Sequence, residues 1–545
     1  MEADSRTPPL FERLSAHATA VVASVLLVAV QLLGCAALPP GAKYEKQSST
    51  AYAHPEDTRI ARALAASAAT HAGSSAFRMI SRGTDGFALR MQLIDGAEHA
   101  LDLQYFIFHQ DHTGQIITEA LLRAADRGVQ LRVLVDDGAI EPGDGRIRLL
   151  AAHPDIEVRV FNPFAYRGES AFLRGVEFMF NHRRLDFRMH NKLMIADNAG
   201  ALIGGRNIGD EYFQVDPQGQ YADDDLFVYG RTVQQLSARF DSYWNSALAI
   251  PVEALAGGRP TAAQLATYRA ELSVAHQRAQ DAGASYMHDA ASGEPLSGIL
   301  NGELPMVWAP AQVICDAPDK LHDHYDTVRG PFVYESVAQA VAAVQTELLI
   351  ISPYFVPTPM ESQVVENLRQ QKVRVGILTN SLESTTELSA HAGYQRHRTE
   401  LLRAGVELHE VRAAPENTRG SGESAALTRY GNYGLHAKLY ALDRTKLFIG
   451  SMNFDQRSAW LNTEVGLIID SSELTLQAVS RYDAMTQLGN AYEVLLQPDS
   501  GGHLRVVWRT RVGDRIIVTA HEPSHSAWRI IEDDLLQLLP VDDEL

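Results

Sequence analysis

One nine-residue pattern is written twice in this chain. The first copy is Met189-His190-Asn191-Lys192-Leu193-Met194-Ile195-Ala196-Asp197, and the second is Leu435-His436-Ala437-Lys438-Leu439-Tyr440-Ala441-Leu442-Asp443. Both read His-x-Lys-x4-Asp, a string expected by chance only roughly 0.02 times in a chain of this length and composition. The surroundings repeat as well. Leu101 opens an apolar run 89 residues before His190, and Leu348 opens another 88 residues before His436. The offset between copies, 246 residues, is far longer than the roughly 20–50 residues of a solenoid repeat. The chain is therefore a duplicated globular unit.

Each unit alternates strand and helix patterns. Residues 101–107, 130–135, 155–161 and 187–196 read as strands, with a helix over 114–127. Residues 348–355, 373–378, 406–411 and 435–441 read as their counterparts, with a helix over 361–371. That alternation predicts an α/β fold with a layered sheet in each copy. The expected plan is an export signal over 1–35, a polar tether over 36–60 and a first domain over 61–255. An Ala-, Gly-, Ser- and Gln-rich connector over 256–301 then leads to a second domain over 302–545.

The spacing inside the pattern carries chemistry. On a strand, residues two apart share a face about 6–7 Å apart. His190 and Lys192 are expected to point one way, as are His436 and Lys438, while Leu193 and Ile195 point into core. Lysine is scarce here. Of 48 basic residues only seven are lysines, and two of the seven stand in the repeated pattern. Asp197 and Asp443 fall in turn-like strings and read as structural. Gly205 and Ser451 each lie 15 residues past their histidine, and Asn207 and Asn453 each lie 17 past. Two lysines and two asparagines converging from two copies would cradle a phosphate with point charges and neutral donors. Aligning the apolar strands that follow sets Asp223 opposite Glu464, 33 and 28 residues past their histidines. A carboxylate on an imidazole N–H fixes its tautomer. The run Asp223-Asp224-Asp225 also admits two other readings, a solvated strand end or a weak cation site, although no calcium-loop spacing surrounds it.

Composition narrows the classes. With 46% hydrophobic and 21% charged residues, the chain folds rather than remaining disordered. Its net charge of −19 argues against a sequence-independent nucleic-acid binder, which needs surplus cations. Two cysteines exclude a disulfide scaffold and a Cys-rich zinc site. One of them, Cys35, closes Leu32-Leu33-Gly34-Cys35 after the apolar run of residues 18–33. That ending resembles a bacterial lipobox and makes Cys35 a lipidation site. The alternative is an uncleaved signal anchor, because Glu2, Asp4 and Glu12 offset Arg6 and Arg13. Either places the body on the periplasmic side, with inner and outer membrane both open.

The paired pattern resembles that of the phospholipase D superfamily, whose members carry two such motifs in pseudo-symmetric α/β domains. The likeness covers roughly residues 60–545. Phe161-Asn162-Pro163-Phe164, Gly204-Gly205-Arg206-Asn207, Ser352-Pro353-Tyr354-Phe355 and Asn462-Thr463-Glu464 bring it nearest to bacterial cardiolipin synthases of the C type. The resemblance implies a covalent reaction without metal or other cofactor. His190 is the implied nucleophile that forms a phosphohistidine, and His436 the acid and base. Lys192, Lys438, Asn207 and Asn453 hold phosphoryl oxygens, and Asp223 and Glu464 orient the rings. Because Gly205 stands where the second copy has Ser451, any hydroxyl contribution is one-sided. Transfer of a phosphatidyl group to phosphatidylglycerol is implied, with phosphatidylethanolamine as donor. Hydrolysis by the same two histidines, as in a phospholipase D or a nuclease, is the alternative.

Three further segments have two readings each. Residues 171–180 are unusually apolar and suit either a membrane-touching or acyl-binding loop or ordinary core. His182-Arg183-Arg184 suits anionic head groups or a solvated turn. His391, Tyr394 and Arg398 could line an acceptor pocket or form a polar helix face. The tail around residues 530–540 is amphipathic with an acidic face and is expected to pack on the body.

Overall fold

Strand residues of the two motif copies split their side chains between two cores, and this split sets the architecture. Met194 and Ala196 join an outer apolar layer with Leu101, Leu103, Val133 and Val158. Leu193 and Ile195 instead join a central layer that also contains Leu439, Ala441, Leu467 and Ile469 from the second copy. Tyr440 and Leu442 complete the alternation in a third, outer layer with Leu348, Ile350 and Val375. The two sheets thus face one another across one shared core, as the period-2 pattern of half-buried strands demands. The helices Arg231–Trp244 and Ser472–Met485 contribute Phe240, Trp244, Leu474 and Tyr482 to it.

The computed structural model describes residues 39–138, 145–215, 219–255, 257–281, 295–320, 332–414, 433–524 and 526–536. The export signal, Cys35 and most of the tail's last residues lie outside these. The first sheet runs, edge to edge, Ala249–Pro251, Ile156–Phe161, Gln130–Asp136, Ala100–Tyr105, Leu193–Ala196, Gly200–Gly204, Asp225–Tyr229, Ser75–Ile80 and Val307–Ala309. The second runs Ala311–Cys315, Val465–Asp470, Lys446–Gly450, Leu439–Leu442, Glu347–Ile351, Arg374–Asn380, Glu407–Val411, Ala491–Pro498, Leu504–Val512 and Arg515–Thr519. In both, three central strands are parallel and the motif strand pairs antiparallel beside them. The duplication therefore extends to strand order and direction.

Three sequence expectations change. The continuous strands over 187–196 and 435–441 are each broken at the motif. Arg188–Met189 and Leu193–Ala196 are separate strands, as are Tyr433–Leu435 and Leu439–Leu442. The stretch between belongs to neither sheet, because the short leading strand pairs with the other domain. The tether is no free linker: Lys46 donates to Ala249 O at 2.7 Å, and Ala51 N to Asp241 at 3.0 Å. The connector is no linker either. Its helix Ala262–Asp281 buries Leu265, Tyr268 and Leu272 in the first domain's outer core. Val307–Ala309 then pairs with Ser75–Phe77, so the first domain extends past residue 302.

Candidate active site

Two short parallel pairings bring the halves together. Arg188–Met189 pairs with Asn462–Thr463, and Tyr433–Leu435 pairs with Gln220–Ala222. The residue after Met189 is His190, and the residue after Thr463 is Glu464. The residue after Leu435 is His436, and the residue after Ala222 is Asp223. Each pairing therefore delivers a histidine from one copy to a carboxylate from the other. Backbone bonds fasten both junctions: His190 N donates to Thr463 O at 2.9 Å, and His436 N to Ala222 O at 2.8 Å.

The rings follow. His190 Nδ1 lies 3.0 Å from both carboxylate oxygens of Glu464, and His436 Nδ1 lies 2.6 Å from Asp223 Oδ2. The sequence reading gave both carboxylates to the two rings without saying which serves which, and the pairing is crossed. The carboxylate of each half serves the imidazole of the other. Both carboxylates are fully buried, while each histidine side chain keeps 10% of its surface exposed. With Nδ1 committed to a carboxylate, Nε2 is the nitrogen left for chemistry. Phe106 meets the His190 ring edge-on at 5.2 Å, and Tyr212 and Tyr221 flank His436 at 5.1 and 5.3 Å.

The lysines complete the centre. Lys192 Nζ donates to His190 O at 2.6 Å, and Lys438 Nζ donates to His436 O while lying 3.1 Å from its Nδ1. Both are buried. Burial lowers the Lys438 ammonium to about 8 and pushes that of Lys192 well below its ordinary value. Burial, and then the charges of both lysines, drive both imidazoles well below theirs. Each ring therefore feels the lysine of the opposite half. Burial raises the Asp223 carboxyl and moves that of Glu464 up to about 7, opposed by nearby lysine charge. Burial therefore opposes charge on ring and carboxylate alike in each pair.

Asn207 and Asn453 are buried beside the centre. Asn207 Oδ1 accepts from Ile107 N at 3.2 Å. Asn453 Oδ1 is buried with no hydrogen-bond partner. Asp197 accepts from the backbone of Glu98, His99 and Ala100, and Asp443 from that of Gln345, Thr346 and Glu347. Both sit at positive φ and pin the start of their domain's first parallel strand.

Gly205 and Ser451 explain why one carboxylate is aspartate and the other glutamate. Ser451 Oγ donates to Glu464 and accepts from Val465 N at 3.0 Å. A Cβ on Gly205 would stand 2.1 Å from Asp223 Oδ1, so the shorter carboxylate fills the space of the missing side chain. Gly205→Ala is expected to displace Asp223 from His436 and lower turnover by about 10²-fold, a loss that steady-state kinetics would read directly.

Several positioning residues escaped the sequence reading. Asp316 Oδ2 accepts from Glu464 N at 3.0 Å and is itself held by Lys320 Nζ at 2.9 Å. Lys320 also donates to Asn462 O at 2.7 Å. The rarity of lysine was the available signal, since Lys192, Lys320 and Lys438 are all buried at this centre. Arg206 donates to Asp223 O and lies 3.3 Å from Asp225. The acidic run is not a solvated strand end. Asp223 meets His436, Asp224 lies 3.4 Å from Arg481, and Asp225 lies 2.8 Å from Arg90, all three buried. His391 and Arg398 do not line an open pocket: both bond Glu522, at 3.1 and 2.7 Å, while Tyr394 donates to buried Glu410 at 3.0 Å.

Comparison with known proteins agrees with this geometry. The family model described as "Cardiolipin synthase, PLD-like domain" matches residues 91–244 and 337–486, one match per half. Cardiolipin synthase C of Escherichia coli (strain K12) is 34% identical over 488 residues, covering 89% of this chain and 99% of that protein. An uncharacterized protein of Helicobacter pylori (strain ATCC 700392 / 26695) is 30% identical over 401 residues, 73% of this chain and 76% of that one. The major cardiolipin synthase of Bacillus subtilis (strain 168) is 24% identical over 424 residues, 77% of this chain and 71% of that one. With a family match in each half and similarity along nearly its whole length, this chain belongs to the cardiolipin synthase family of phospholipase D-like enzymes, a family of phosphatidyltransferases acting on phospholipids.

Proposed function

We propose that the enzyme makes cardiolipin by moving a phosphatidyl group onto a hydroxyl of phosphatidylglycerol, with phosphatidylethanolamine as donor. One observation carries the reading: two imidazoles from opposite halves, each backed by a carboxylate of the other half, share one centre with two buried lysines. Nε2 of His190 attacks phosphorus in line, forming an N–P bond as the bond to the donor's leaving oxygen breaks. His436 gives that oxygen its Nε2 proton. His436, now neutral, takes the proton from the phosphatidylglycerol hydroxyl. That oxygen displaces His190 and restores the starting enzyme. Lys192, Lys438, Asn207 and Asn453 bind the phosphoryl oxygens, and the scheme uses no cofactor. The lipobox-like ending supports lipidation at Cys35 and a periplasmic body, and the acidic charge supports lipid over nucleic acid. Among the described residues no helix is long and apolar enough to cross a membrane.

Product analysis decides between transfer and hydrolysis. Purified enzyme given labelled phosphatidylglycerol, with and without phosphatidylethanolamine, is expected to yield labelled cardiolipin, faster with the second lipid. Phosphatidic acid as sole product would replace transfer by hydrolysis.

A further inference from the structure

The helix Ala171–Leu185, which leads into His190, is amphipathic inside out. Arg174, Glu177 and Arg184 face the protein. Arg174 donates to Asp137 O, and Glu177 accepts from Ala165 N and Tyr166 N, both at 2.7 Å. Arg184 donates to Asn162 and Pro163. The side chains of Arg174 and Glu177 are only 13% and 12% exposed. The apolar residues face outward instead, with Phe172 77% and Met179 61% exposed, and Leu173 and Phe178 also open to solvent. The only buried residue of the helix is Leu185. A helix on a globular surface normally shows the opposite arrangement, and clustered exposed apolar side chains mark a binding surface.

Charge identifies the occupant. The chain as a whole is strongly acidic, yet the one acid of this helix, Glu177, is turned inward. The ionisable side chains left open to solvent at its far end are those of His182 and Arg183, just past a break in helical geometry at Asn181. An apolar face ending in cations suits an anionic phospholipid interface, where apolar side chains enter the acyl boundary and cations meet head groups.

The helix is also tied to the chemistry. Arg174 and Arg167 bond Asp137. The adjoining Asp136 accepts from Met189 N at 2.8 Å and lies 3.2 Å from Arg188. Asn162 donates to the carbonyls of Arg184 and Phe187. A surface held by the helix is thereby held in fixed relation to His190.

We propose that the outward face of Ala171–Leu185 inserts into the surface of an anionic phospholipid bilayer and presents the two-histidine centre to lipid. The inference rests on the phospholipid reading above, so its test separates insertion from product. Full-length enzyme carrying Phe178→Trp is reconstituted in phosphatidylglycerol–phosphatidylethanolamine vesicles containing acyl-brominated lipid. Quenching beyond that of the native tryptophans is expected whatever product forms; its absence overturns the proposal. The double variant Phe172→Ser, Met179→Ser alters only exposed side chains. It is expected to lose about 10-fold of turnover on vesicles while keeping native turnover on monomeric short-chain phosphatidylglycerol. Unchanged vesicle turnover, or equal loss on both substrates, overturns the proposal. So does a native oligomer that the double variant dissociates, because the face would then join two copies.

Discussion

His190→Ala and His436→Ala each reduce cardiolipin formation by at least about 10³-fold, because each deletes a group that makes or breaks a bond to the transferred phosphorus. Both imidazoles sit in one buried centre. The two variants part on a donor whose leaving group needs no proton, such as a p-nitrophenyl ester of phosphatidic acid. His436→Ala keeps the nucleophile and releases p-nitrophenol in a single burst, leaving phosphorus on the enzyme. The phosphoenzyme then stalls, since nothing deprotonates the acceptor hydroxyl. His190→Ala gives no burst. A burst from His190→Ala and none from His436→Ala would exchange the two roles. Near-native turnover by either variant would end the two-histidine scheme.

Much of this was legible in the residues. The alternation of strands with helices and the duplication follow from hydrophobic period and repeat spacing, which local sequence carries directly. The burial of Leu193 and Ile195 in a core shared by both halves follows from the same hydrophobic period. What the sequence could not carry is contact between segments 274 and 213 residues apart. Spacing along the chain leaves open which carboxylate serves which imidazole, and the two short interdomain pairings decide it. The same limit hid Asp316 and Lys320, whose role exists only once Glu464 is seated above them. The helix after Ser170 was ambiguous for a different reason. Its apolar content marks it as buried or membrane-facing, and composition alone does not say which side of a helix the protein covers. The polar network of Arg174, Glu177 and Arg184 does.

Glu464→Gln and Asp223→Asn test that crossed arrangement with opposite signatures. A glutamine keeps the size of Glu464 but can present an N–H to Nδ1 and favour the wrong tautomer of His190, and asparagine does the same to His436. A buried carboxylate behind a catalytic imidazole is worth about 10²–10⁴ in turnover, so both variants lose overall transfer by that order. They differ on the activated donor. Glu464→Gln cripples the nucleophile and loses the burst. Asp223→Asn cripples only the acid and base, so the burst persists while turnover stops. Pairing within each copy would require the reverse. Ser451 sharpens the comparison, because its hydroxyl donates to Glu464. Ser451→Ala should slow the burst in the native background and add little once Glu464 is glutamine, the non-additivity of groups that act through one another. The first half of the reaction then depends on a histidine from the first copy and a carboxylate and hydroxyl from the second, so neither half of the molecule can form the phosphoenzyme alone.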